Sequence, residues 1–129
     1  MHALIVDDSR AMRRILRTIV EPLGFEIAEA GHGIEGLQRL GEQPETELAL
    51  VDWNMPEMNG IDFVKAVRAN PIYEQMKLVM VTTETEPAKM ARALMAGVDE
   101  FVMKPFTKDI LLEKLELIGV QMPEAVGCQ

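Results

Sequence analysis

The sequence predicts an α/β protein of five successive strand-and-helix units, on three observations. Short apolar runs alternate with longer segments of helical period, as parallel strands joined by crossover helices require. Prolines, glycines and asparagines fall where those segments stop. Four of the five apolar runs end in polar or ionisable residues, a pattern that places chemistry at one edge of a sheet.

The apolar runs cover residues 3–6, 26–30, 48–51, 78–81 and 101–103. Ser9 is placed to cap a first helix, in which Met12, Ile15, Leu16 and Ile19 are spaced to form one buried face, and Pro22 and Gly24 stop it. A second, weaker helix is expected over 33–40, because Gly33 and Gly36 each lower its propensity. The third spans 60–69 and ends at Asn70 and Pro71. Pro87 suits the first turn of a fourth, with Met90, Ala93, Leu94 and Gly97 repeating at helical spacing. Thr107 caps the last helix, with Leu111, Leu115 and Ile118 facing inward. Residues 1–120 form the domain; residues 121–129 are read as a short frayed tail, periodicity being absent after Ile118.

A chain of 129 residues, nearly half of them apolar and a quarter charged, has the profile of one soluble globular domain. No apolar run approaches a membrane span and no signal segment opens the chain, so the expectation is a cytoplasmic protein. The lone Cys128 has no partner for a disulfide or metal site. A net charge of −8 argues against direct nucleic-acid binding and otherwise speaks for solubility.

The groups that end the strands are Asp7 with Asp8, Asp52, Thr82 with Thr83, and Lys104. Any one alone could be a cap or strand terminator, but four at the same end of successive strands converge on the crevice where parallel α/β sheets bind ligands. Three crowded carboxylates repel by about 4 kcal/mol per close pair at intermediate dielectric. Lys104 supplies one positive charge; a divalent cation is needed as well. Oxygen donors without His or Cys favour a hard ion, Mg2+ above all, with Mn2+ as a substitute. Asp52, on the central strand, is then positioned as a nucleophile toward a phosphoryl donor.

The motifs DD at 7–8, DWNMPEMNG at 52–60, VTT at 81–83 and KPF at 104–106 together resemble those of bacterial response-regulator receiver domains, especially the single-domain chemotaxis regulators. The resemblance spans roughly the third residue to Ile118. It implies a flavodoxin-like (βα)5 fold with strand order 2-1-3-4-5, and phosphorylation of Asp52. Asp8, Asp52 and the Asn54 carbonyl would bind Mg2+, Asp7 acting mainly through water. Lys104 would pair with the phosphoryl group, Thr83 would offer it a backbone contact, and Thr82 would swing toward it while Phe101, the switch aromatic, turns inward. Asn54 and Glu84 would tune hydrolysis, and the Lys104–Pro105 bond would be cis. Phe101 stands where the chemotaxis regulators carry tyrosine, which removes a hydroxyl contact to a partner.

Two surfaces are candidates for partners. Arg10, Arg13, Arg14 and Arg17 form a ribbon opposite the apolar stripe of the first helix. It is either an ordinary solvated face or a docking site for a histidine kinase or histidine phosphotransfer domain. Lys89, Arg92, Met95 and Phe101 would belong to an output face that binds a downstream protein such as a flagellar motor switch component. Met95 could equally be core, Trp53 is expected to be half-buried, and the protein is expected to be a monomer.

The leading reading is a phosphorylation-controlled binding module that catalyses only its own phosphorylation and dephosphorylation. A phosphorelay shuttle or a stand-alone receiver of another pathway is the alternative. An aspartate-nucleophile phosphatase would need a general acid at position 54, which is Asn, and a substrate-capping insertion. A phosphate-cradling loop is disfavoured because the first turn, DDSRAM, is acidic and lacks glycine. A receiver unable to be phosphorylated is disfavoured because every active position holds a competent residue.

Overall fold

The computed structural model describes residues 1–122. The chain runs β1 (His2–Val6), α1 (Arg10–Val20), β2 (Glu26–Ala30), α2 (Gly33–Glu42), β3 (Leu48–Val51), α3 (Gly60–Arg68), β4 (Lys77–Thr82), α4 (Pro87–Ala96), β5 (Glu100–Met103) and α5 (Lys108–Leu117). All strand pairings are parallel, in the order β2-β1-β3-β4-β5 that the resemblance implies. Two 3-10 turns, Glu21–Leu23 and Pro71–Tyr73, were not foreseen; each opens around a proline whose missing N–H suits a first turn.

Both faces of the sheet are covered, so the central strands are apolar over residues 3–6, 48–51 and 78–81, with polar residues only at their ends. Leu4, Val6, Ala49, Val51, Leu78 and Met80 pack with Leu40, Phe63, Val64, Val67 and Ala93 of α2, α3 and α4. Ala3, Ile5, Leu48, Leu50, Val79, Val81 and Val102 point the other way, onto Leu16, Ile19 and Val20 of α1 and Leu111 and Leu115 of α5. Among the described residues, no helix is long and apolar enough to cross a membrane.

The caps read from the sequence are present. Ser9 Oγ accepts the Met12 N–H at 3.2 Å and Thr107 Oγ1 accepts the Ile110 N–H at 3.1 Å. A cap not foreseen opens α2, where His32 Nδ1 accepts the Glu35 N–H while the Glu35 carboxylate accepts the Gly31 N–H at 2.7 Å. The glycines expected to weaken α2 are buried where it meets the α3 region. A Cβ on Gly33 would lie 2.7 Å from Met58 Cγ, and one on Gly36 2.8 Å from a ring carbon of Phe63. Close packing outweighs propensity there, and α2 runs two residues past the predicted end.

Four expectations are corrected. Ile15 is 47% exposed, and Val20 joins Leu16 and Ile19 as the buried face of α1. Leu94 is 52% exposed, leaving Ala93 as the fully buried residue of α4. Gly97 does not continue α4 but ends it, with φ of 121°. Trp53 is buried, not half-buried. In α1 and α4 the buried stripe lies to one side of the apolar spacing, so Ile15 and Leu94 fall at its solvent margin. Val120 and Met122 rest against the α1–α5 side of the core; Cys128 and the rest of the expected tail lie outside the described residues.

Candidate functional site

Register assembles the site. Val6 pairs with Val51, so the residues that follow, Asp7 and Asp52, emerge side by side from the carboxyl ends of β1 and β3. The Asp52 N–H donates to the Val6 carbonyl at 2.9 Å and the Asp7 N–H to the Ala30 carbonyl at 3.0 Å, continuing the ladders into the site. On the other flank Thr82 pairs with Met103, and the Lys104 N–H donates to the Thr82 carbonyl at 2.9 Å, bringing the lysine level with both.

Asp7 and Asp52 are buried, at 1% and 8% exposure, while Asp8 is exposed. One carboxylate oxygen from each of the three lies within 4.8 Å of the others. Lys104 Nζ donates to Asp7 Oδ2 at 2.9 Å and stands 3.6 Å from Asp52 Oδ2. Burial pushes the Asp52 carboxyl above the usual carboxylate range; the Lys104 charge pulls it back, and Asp7 and Asp8 push it further up. Three convergent oxygen donors with no nitrogen or sulfur among them fit a hard divalent cation.

Helix α3 starts directly beneath this edge. A Cβ on Gly60 would sit 2.3 Å from the Asp52 carbonyl oxygen and 2.9 Å from Trp53 Cα, so glycine alone lets the backbone approach so closely. The Gly60 N–H donates to the Trp53 carbonyl at 2.8 Å, and Asn59 caps the helix by accepting the Asp62 N–H. Between them runs the loop carrying the exposed Asn54, with Glu57 at φ 66° and its carboxylate 3.4 Å from His32 Nε2.

Beyond β4, Thr82 is fully buried and its Oγ1 accepts the Glu84 N–H at 3.1 Å, whereas Thr83 is exposed. The Glu84 carboxylate accepts the Glu86 N–H at 3.0 Å and pairs with Lys89 at 3.3 Å; the Glu86 N–H first, then Lys89, hold it below the usual range. Glu84 is therefore engaged at the start of α4. Phe101 is buried among the core residues beside Met80. The Lys104–Pro105 bond is cis.

The arginine ribbon divides. Arg10 and Arg14 are exposed. Arg13 and Arg17 instead reach around α1 to Glu29 on β2, at 3.0 and 2.7 Å, and Arg13 Nη1 also donates to the Asp7 carbonyl. Burial raises the Glu29 carboxyl, but its bonds to Arg17 and Arg13 outweigh that and hold it low. On the other proposed surface, Arg92 is exposed and Met95 is 88% exposed, which excludes Met95 from the core. Sequence reasoning named Gly60 only as the end of the 52–60 motif and the start of a helix, and missed that its lack of a side chain lets α3 pack against the acceptor peptide. It also missed Arg68, which binds the carbonyls of Gly97, Tyr73, Glu74 and Met76 and the Asp99 carboxylate.

A parallel sheet of this order with acids at the ends of β1 and β3 defines a class, and the chain belongs to it: the response regulator receiver domain family, whose sequence profile matches residues 3–116. The relatives are more particular. The chain is 45% identical over 119 residues to chemotaxis protein CheY1 of Helicobacter pylori, covering 92% of this chain and 96% of that one. It is 47% identical over 117 residues to a chemotaxis protein CheY homolog of Campylobacter jejuni, covering 90% of each. Its fold matches the solved structure of the chemotaxis protein CheY4 of Vibrio cholerae with a TM-score of 0.84 at 33% identity, covering 91% and 97% of the two chains.

Proposed function

We propose that this receiver is a single-domain chemotaxis response regulator that accepts a phosphoryl group on Asp52 and thereby switches its binding to a downstream protein. The juxtaposition of Asp52 with Asp7, Asp8 and Lys104 carries the reading, because it sets a carboxylate beside two further oxygen donors that fit a cation and a fixed ammonium. The near full-length similarity to chemotaxis proteins supports the pathway.

The step is a transfer from a histidine kinase or histidine phosphotransfer domain. A bond forms between an Asp52 oxygen and phosphorus as the donor's phosphorus–nitrogen bond breaks, and the released imidazole takes a proton. Asp7, Asp8, Asp52 and the Asn54 carbonyl would hold Mg2+, which when bound neutralises phosphoryl charge. Lys104 turns from Asp7 and Asp52 to a phosphoryl oxygen, and the Thr83 N–H donates to another. Thr82 gives up its bond from the Glu84 N–H to reach the same group; Phe101, expected to turn inward at this step, is already buried beside Met80 and keeps that position. Asn54, and Glu84 once released from Lys89, orient the water that ends the signal. The output face comprises Lys89, Arg92 and Met95, Phe101 being withdrawn into the core behind them; donor docking falls to Arg10 and Arg14, since Arg13 and Arg17 are taken by Glu29.

Incubation with a small phosphodonor and Mg2+ is expected to add one phosphoryl group to the wild-type chain and none to Asp52→Asn, read by intact-protein mass. A wild type left unmodified, or a variant modified equally, defeats the proposal.

A further inference from the structure

The β1–α1 turn must present two consecutive acids, one buried and one exposed, to a common cation. The first is held on several sides. Its N–H is bonded to Ala30, its Oδ1 accepts the Ser9 N–H at 2.9 Å, and its Oδ2 takes Lys104. Asp8 is exposed, and none of the side-chain hydrogen bonds among the described residues falls on its carboxylate. Its direction depends on the plane of the peptide that joins it to Asp7, and the carbonyl of that peptide accepts Arg13 Nη1.

Arg13 is itself fixed. Its side chain is only 17% exposed, its Nε donates to Glu29 Oε1 at 3.0 Å, and Glu29 is shared with Arg17 at 2.7 Å. The guanidinium thus bridges the edge strand β2 and the site's backbone, and its planar fork suits two acceptors at once. We infer that Arg13, clamped by Glu29, is a positioning residue for the cation site: it locks the Asp7–Asp8 peptide so that Asp8 points at the ion. This rests on the metal-dependent reading above, and it removes Arg13 from the docking surface.

Charge and bracing make opposite predictions. A bare positive charge near the site repels Mg2+, so its removal would tighten binding; a brace does the reverse. Mg2+ titration followed by Trp53 emission, with calorimetry as a second readout, separates them. Arg13→Ala is expected to weaken Mg2+ binding about tenfold, in the range for groups that orient metal ligands. Arg13→Lys, which keeps a donor, recovers most of that affinity. Arg17→Ala removes the same charge and one of the same Glu29 bonds, yet leaves Mg2+ affinity within about threefold of wild type. The Asp8 amide nitrogen resonance, sensitive to a hydrogen bond on the preceding carbonyl, shifts in Arg13→Ala and stays in Arg17→Ala. If Arg13→Ala binds Mg2+ as well as or better than wild type, or Arg17→Ala loses as much, the inference is overturned while the receiver reading stands. A wild-type chain that binds no Mg2+ overturns both.

Discussion

Replacing Asp52 by asparagine measures how far the site opposes folding before any cation arrives. With oxygens of the three acids within 4.8 Å of one another, each pair repels by about 3.5 kcal/mol at an effective dielectric of about 20. Lys104, 3.6 Å from Asp52, returns about 4.6 kcal/mol on the same footing. Two repulsions against one attraction leave the Asp52 charge destabilising, by about 1–2 kcal/mol once the screening around the exposed Asp8 is allowed for. Asp52→Asn is therefore expected to be the more stable protein in EDTA at pH 7, with Tm higher by about 4–8 °C. The sign with pH follows from the raised carboxyl. A folded-state value above the unfolded one gives stability that is fully present below the unfolded value and lost as pH rises through the folded one. The gap between variant and wild type must consequently close on acidification. Urea unfolding read by Trp53 emission in EDTA, repeated with excess MgCl2, gives the answer. Mg2+ should stabilise the wild type more than the variant, which has lost one ligand charge. An asparagine variant no more stable than wild type in EDTA would refute the crowded-carboxylate argument.

Lys104→Met leaves the Asp7 carboxylate buried without its ammonium and is expected to cost about 3 kcal/mol in EDTA, part of it recovered with Mg2+ in the same urea assay. Gly60→Ala drives a Cβ into the Asp52 carbonyl, so either α3 or the acceptor peptide must move. A loss of about 2–3 kcal/mol in unfolding experiments is expected, with slower phosphorylation from a small donor than Asn59→Ala shows. Arg68→Ala strips one guanidinium from four carbonyls and Asp99, and is expected to lower stability by about 3 kcal/mol. Arg68→Lys should recover less than half, because an ammonium cannot span those acceptors.

The acids, Thr82 and Lys104 were legible in the sequence because their convergence is a property of strand ends. Once 3–6 and 48–51 are parallel neighbours buried on both faces, register is constrained by packing, and the residues that follow each run must emerge together. Helix faces were less legible. Ile15 and Leu94 have the spacing of buried residues, but whether an apolar side chain at the margin of a stripe touches the sheet depends on how the helix is rolled, which the spacing alone does not encode. Gly36 misled for a related reason: propensity counts its backbone freedom against α2, whereas the deciding contact is with Phe63, 27 residues away in the chain.

The arginines show the same boundary most sharply. Helical spacing put four of them on one ribbon opposite the expected core stripe, and on spacing alone they are equivalent. What separates Arg13 and Arg17 from Arg10 and Arg14 is Glu29, on an edge strand whose outer side no other strand covers. A long guanidinium side chain can leave its helix face and cross to such an edge, and the free strand carbonyls reward it: Arg17 also approaches the Ile27 carbonyl at 3.4 Å, and Arg39 binds that of Glu29 at 3.2 Å. A basic ribbon predicted from one helix is accordingly an upper bound on the charge offered to a partner. The part lying beside an open sheet edge is drawn into the fold first, and here that part includes the residue that reaches the backbone of the site.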